Sequence, residues 1–103
     1  MTSYFAVYAL DAPRRAEVRA ANRAAHRERL RDHDHPVTVR VGGPLTDEAG
    51  DMIGTLLIIE AEDRACVERF VAGDPYVRND LFERIAIHPF AWGLGEPAKA
   101  EDG

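Results

Sequence analysis

The chain has 103 residues, room for one domain around one hydrophobic core, and its 46% apolar and 30% charged composition is that of a globular protein. With 18 acidic against 13 basic side chains the net charge is -5, which argues against nucleic-acid binding, because that function wants a basic face. The single cysteine, Cys66, excludes an internal disulfide and any CxxC motif. With no leader-like N-terminus and no apolar run near the roughly 20 residues that span a bilayer, a cytoplasmic protein without membrane contact is expected.

In chain order, Tyr4 to Leu10 is aromatic and β-branched without a charge, and reads as a first strand. Asp11-Ala12-Pro13 reads as a helix start, an N-capping Asp with Pro in the first turn, and the helix runs to about Arg31. Its alanines let it lie close on a sheet, and its arginines read mostly as a solvated face. Asp32-His33-Asp34-His35-Pro36 breaks the helix. Val37, Val39 and Val41 alternate with polar residues as a second strand, and Gly42-Gly43-Pro44, which ends that regularity, reads as a bulge or strand exit. A polar loop from Thr46 to Asp51 makes a hairpin with a third strand, Met52 to Ala61. Asp63 caps a second helix, Arg64 to about Ala72, with Ala65, Val67, Phe70 and Val71 facing inward, and Gly73 ends it. Asp74-Pro75-Tyr76 opens a short turn, and a last strand around Ile85 and Ile87 ends near Trp92. A single domain over 1–103 is expected, with its core at about 4–92 and a mobile polar tail from 93.

The order is β-α-β-β-α-β, so the expected fold is α+β and ferredoxin-like, an antiparallel sheet with two helices on one face. The run Thr55-Leu56-Leu57-Ile58-Ile59 is apolar on both faces, as is the first strand. Helices cover only one side, and an open apolar sheet face of several hundred Å² is unusual on a monomer. A second copy packing sheet to sheet covers it, so a homodimer is expected.

Of the four histidines, His26 shares a helix face with Arg19, Arg23 and Leu30. On spacing alone it is an ordinary helix histidine. His33-Asp34-His35 lacks the convergent ligand set of a zinc site, so no metal is expected. Asp74 before Pro75 alone reads as a capping turn. Phosphate-loop and serine-hydrolase motifs are absent.

Taken together, Arg23-Ala24-Ala25-His26, Gly43-Pro44-Leu45, Gly54-Thr55-Leu56-Leu57-Ile58, Asp74-Pro75-Tyr76, Leu81-Phe82-Glu83 and Ile87-His88-Pro89-Phe90 resemble the YCII-related (YciI-like) family over roughly residues 4 to 92. Each motif is weak, but their order and spacing are specific. The resemblance implies a dimeric α/β barrel of two ferredoxin-like units and a histidine–aspartate pair, here His26 and Asp74, as the active site. A departure is Arg27, where the family often has Leu, which implies a more polar pocket wall. On this reading a cleft closed by Gly43, Pro44 and Tyr76 holds a small polar or aromatic molecule, and Arg19 or Arg23 stabilises an anionic oxygen. Histidine titrates near neutral pH, and a carboxylate on one ring nitrogen fixes its tautomer, so the expected chemistry is lyase- or isomerase-type proton transfer without a cofactor. The alternative is a non-catalytic ligand-binding or accessory dimer whose His26–Asp74 contact only ties a helix to a loop.

Overall fold

The computed structural model describes residues 2–95, so the expected mobile tail lies, from residue 96 onward, outside the described residues. The elements are β1 (Ser3–Asp11), α1 (Ala16–Arg31), β2 (Val37–Thr46), β3 (Met52–Ala61), α2 (Arg64–Ala72), α3 (Pro75–Arg78) and β4 (Phe82–Phe90). The sheet is antiparallel in the order β2-β3-β1-β4, the α+β ferredoxin-like arrangement read from the sequence. No helix among the described residues is long and apolar enough to cross a membrane.

Strand alternation splits β1 and β3 into two faces. Phe5 and Val7 of β1 join Leu57 and Ile59 of β3 in a core closed by Val67, Phe70 and Val71 of α2. The intended inward position Ala65 is exposed instead, because the buried stripe of so short a helix is only as wide as those three residues. On the opposite sheet face Ala6, Ile58 and Val41 lie side by side in register, as do Tyr8 and Leu56. Tyr8 and Val41 there are 40% and 43% exposed.

Two expected boundaries move. First, Asp11 does not cap a helix: it ends β1, Arg14 takes a left-handed φ of 59°, and α1 begins at Ala16 behind an Arg15 cap with no side-chain hydrogen bond. The Asp11 carboxylate is taken instead by the buried Arg19, whose Nε and Nη2 donate to its two oxygens at 2.7 and 2.8 Å. A buried guanidinium without a counter-ion costs far more than an uncapped helix end. Second, Gly42-Gly43-Pro44 does not end β2, which runs to Thr46. The irregularity is a bulge between Val39 and Val41, after which the strand stays paired. Pro44 is tolerated because β2 is an edge strand.

Gly54 sits where β3 crosses closest to β1. A Cβ there would lie 2.4 Å from the Ala9 carbonyl oxygen, a backbone atom that cannot swing away. Gly54→Ala is therefore expected to spread the strands and lower stability by about 2–3 kcal/mol, seen as a clear drop in Tm by circular dichroism. An unchanged Tm would mean that the approach is looser than this.

Candidate active site

The site forms where α1 passes over the edge strand β2. Gly42 leaves room there: a Cβ would press on Leu57 Cδ2 at 3.2 Å and Leu30 Cδ1 at 3.5 Å, while one on Gly43 would meet nothing within 4 Å. The space left is a cavity of about 310 Å³, at the lower end of ligand-pocket sizes. His26 and Tyr76 line it, with Gly43, Pro44 and Thr55 across the floor and far wall.

His26 and Asp74, distant in sequence, meet here. His26 Nδ1 lies 2.8 Å from Asp74 Oδ2 and 3.0 Å from Oδ1. Asp74 also caps α3 by accepting the Tyr76 backbone N–H at 2.8 Å, so the capping role read from the sequence and the histidine contact coexist in one carboxylate. The imidazole stacks on the Tyr76 ring, 4.1 Å between centroids and 21° between planes. The pair is buried, at 6% and 4% exposure. Yet Nε2 is not sealed in: among the described residues, Trp92 Nε1 is the only buried side-chain polar atom without a partner. With Nδ1 committed to the carboxylate, Nε2 is the nitrogen left for the cavity that His26 lines.

Arg19 stands behind Tyr76. Besides Asp11 it donates to the Gly54 carbonyl at 3.0 Å and Thr55 Oγ1 at 3.1 Å, and its guanidinium carbon lies 4.7 Å from the Tyr76 ring centre. Burial works against its charge, but Asp11 and Tyr76 together outweigh burial and hold the guanidinium above its ordinary pKa. Burial likewise pushes the Tyr76 phenol up, only partly offset by Arg19, so the hydroxyl is neutral at physiological pH. Arg19 thus braces the wall with most of its donors used, whereas Arg23 is exposed at the cavity.

On the other side, Arg29 of α1 donates to the Phe70 carbonyl at 2.7 Å and covers the Phe70 ring at 4.2 Å. Gly73 ends α2 as expected, but with an ordinary φ of -88°. Its missing side chain makes room for Arg29, whose Nη2 would lie 2.6 Å from a Cβ. This contact sets the spacing of α1 against α2 and hence of His26 against Asp74.

Asp11 carries no signal as a site residue because it acts on Arg19 rather than on the cavity, while Thr55, read only as part of the third strand, both accepts from Arg19 and lines the cavity. Arg27 lines it, as the polar wall position the resemblance implied; Leu30 and Arg31 also line it and were not singled out as contacts, although their spacing on the helix face of Arg23 was a readable signal. His33 and His35 stay apart from the site: His35 Nε2 approaches Asp32 at 3.6 Å and its ring packs edge-on against Phe70. No cluster of metal-binding side chains occurs among the described residues.

What fold and cavity define is a ferredoxin-like protein carrying an imidazole–carboxylate pair at a small-molecule-sized hollow. The chain belongs to the YCII-related domain family, whose model matches residues 3–91. It is similar to the 5-chloro-2-hydroxyhydroquinone dehydrochlorinase TftG of Burkholderia phenoliruptrix AC1100, solved with 2,5-dihydroxybenzoquinone, at 33% identity and TM-score 0.74 over 89% of this chain and 95% of that one. A putative antibiotic biosynthesis monooxygenase from Bacteroides thetaiotaomicron (16% identity, TM-score 0.58, 92% and 95% covered) and PA3566 from Pseudomonas aeruginosa (15%, 0.55, 90% and 95%) share the fold. No curated protein sequence matches the chain.

Proposed function

We propose that the chain is a small acid/base enzyme of the lyase or isomerase type, with His26 as base and Asp74 as the group that orients it. The observation that carries this is the 2.8 Å contact between His26 Nδ1 and Asp74 Oδ2 beside a cavity lined by the same imidazole. The carboxylate favours the tautomer with hydrogen on Nδ1 and stabilises the imidazolium formed when Nε2 takes a proton. Arg23 supports the oxyanion left on the substrate, and Arg19 holds the Tyr76 ring on which the His26 imidazole stacks.

Similarity to a dehydrochlorinase supports elimination from a hydroxylated aromatic ring. For a chlorinated hydroquinone, Nε2 removes a hydroxyl proton, the ring carbon bearing chlorine gains a proton, and chloride leaves with its bonding pair as a second hydroxyl gives up its proton. The net change is loss of HCl and formation of a quinone, with the oxidation internal to the substrate and no cofactor drawn on. The test is chloride release from 5-chloro-2-hydroxyhydroquinone. Release by the wild type and background release by His26→Ala are expected. Equal rates, or none for the wild type, contradict the reading.

The same proposal includes a cytoplasmic homodimer, with the Tyr8, Val41, Leu56 and Ile58 face of one sheet packed on that of a second copy. The near-complete burial of the pair favours one other reading, a binding module in which His26–Asp74 only ties α1 to α3. That reading predicts a His26→Ala protein that melts earlier but binds cavity ligands as before.

A further inference from the structure

The protein is acidic, yet its cavity is not. Five arginines line it (Arg19, Arg23, Arg27, Arg31 and Arg40) and no Asp or Glu does. Two of these have counter-ions: Arg19 has Asp11 at 2.7 Å, and Arg40 has Glu60 at 2.7 Å. The other three recur every fourth residue along α1, so their side chains stack on one helix face at steps of about 6 Å. None of the three forms an ion pair with a described residue. Glu28 and Asp32 lie near Arg27 and Arg31, but across the shallow groove on the outer side of the helix. A pair acting only on a neutral phenol needs one cation near the nascent oxyanion, and Arg23 meets that need. Arg27 and Arg31 are further along α1, beyond His26, and both are exposed to solvent.

We infer that the substrate carries a second, permanently anionic group, a carboxylate on the aromatic ring, which Arg27 and Arg31 bind at the mouth while the reacting hydroxyl faces His26. This deepens the proposed function and rests on the cavity being the substrate site. Arginine suits the role because its planar fork meets a carboxylate with two parallel N–H bonds. The uncharged walls, with Leu30, Val39, Pro44 and Tyr76, suit the ring.

The experiment is calorimetric titration of the full chain with 2,5-dihydroxybenzoate and with hydroquinone, which lacks only the carboxylate. The wild type is expected to bind 2,5-dihydroxybenzoate about tenfold more tightly, the effect of one good charge-assisted contact. In the double variant Arg27→Gln, Arg31→Gln that preference should fall to within about twofold of unity, with hydroquinone affinity unchanged. Both positions are exposed on a helix, so the variant is expected to melt as the wild type does. Equal affinity for the two probes, no saturable binding of 2,5-dihydroxybenzoate at millimolar concentration, or a preference that survives the double substitution overturns the inference. Any of these together with His26-dependent chloride release leaves the proton-transfer reading standing. A carboxylate preference without such release separates the two the other way.

Discussion

Asp74→Asn is expected to leave a folded protein that turns over at least about 10³-fold more slowly, on the scale seen when an orienting carboxylate is neutralised behind a catalytic histidine. The asparagine carbonyl can still accept the Tyr76 N–H that Asp74 now accepts at 2.8 Å, so α3 keeps its cap. Its NH₂ then faces His26 Nδ1 and donates where a carboxylate accepted. The ring answers by moving its hydrogen to Nε2, and the nitrogen at the cavity loses its lone pair. Stability falls by only about 1–2 kcal/mol, the difference between a hydrogen bond to a carboxylate and one between neutral groups. Asp74→Ala is harsher on the fold. It removes the cap on the Tyr76 N–H, about 1 kcal/mol, and strands the buried His26 donor at about 1–3 kcal/mol. Chloride release and thermal melting measured on both variants check this. An Asn variant as active as the wild type would show that the carboxylate only holds the fold together.

Leu57→Asp and Ile58→Asp, neighbours on β3, are expected to fail in different ways. Leu57 is 3% exposed and faces α2 with Ile59, which is fully buried. An unpaired carboxylate there costs several kcal/mol, most of the stability a domain of this size holds, so the chain should not fold. Ile58, 7% exposed, points to the opposite face, flanked in register by Ala6 and Val41, where no core helix packs and a carboxylate can turn toward solvent. A charge there is expected to leave a folded chain, seen by circular dichroism, that elutes as a monomer, whereas the proposed homodimer requires the wild type to elute as a dimer. Wild-type elution and melting for both variants would contradict the two-sided burial of β3.

The limits of β3 and α2 were legible in the sequence because local chemistry decides them: an unbroken apolar run for one, an Asp cap and a closing glycine for the other. The start of α1 was not. Asp11 is a good cap by local rules, and only the tertiary position of Arg19, a residue type seldom buried, diverts it. Likewise, Gly42-Gly43-Pro44 reads as a break until β2 is known to be an edge strand beside a helix. His26 and Asp74 carried no mutual signal along the chain, and each alone had an ordinary explanation. Their pairing came from the family resemblance, and the geometry brings them within 2.8 Å. The arginine stripe on α1 was visible as spacing, but a solvated face and a cavity wall have the same periodicity.

The proposed chemistry rests on Asp74 holding His26 with a bare Nε2 turned to the cavity. It is tested most directly by the ring-nitrogen NMR signals of His26, recorded in the wild type and in Asp74→Asn, with and without 2,5-dihydroxybenzoate. Hydrogen on Nδ1 in the wild type, a ligand-dependent shift at Nε2, and the opposite tautomer in the variant are expected. Hydrogen on Nε2 in both proteins, or an Nε2 signal indifferent to ligand, would contradict it.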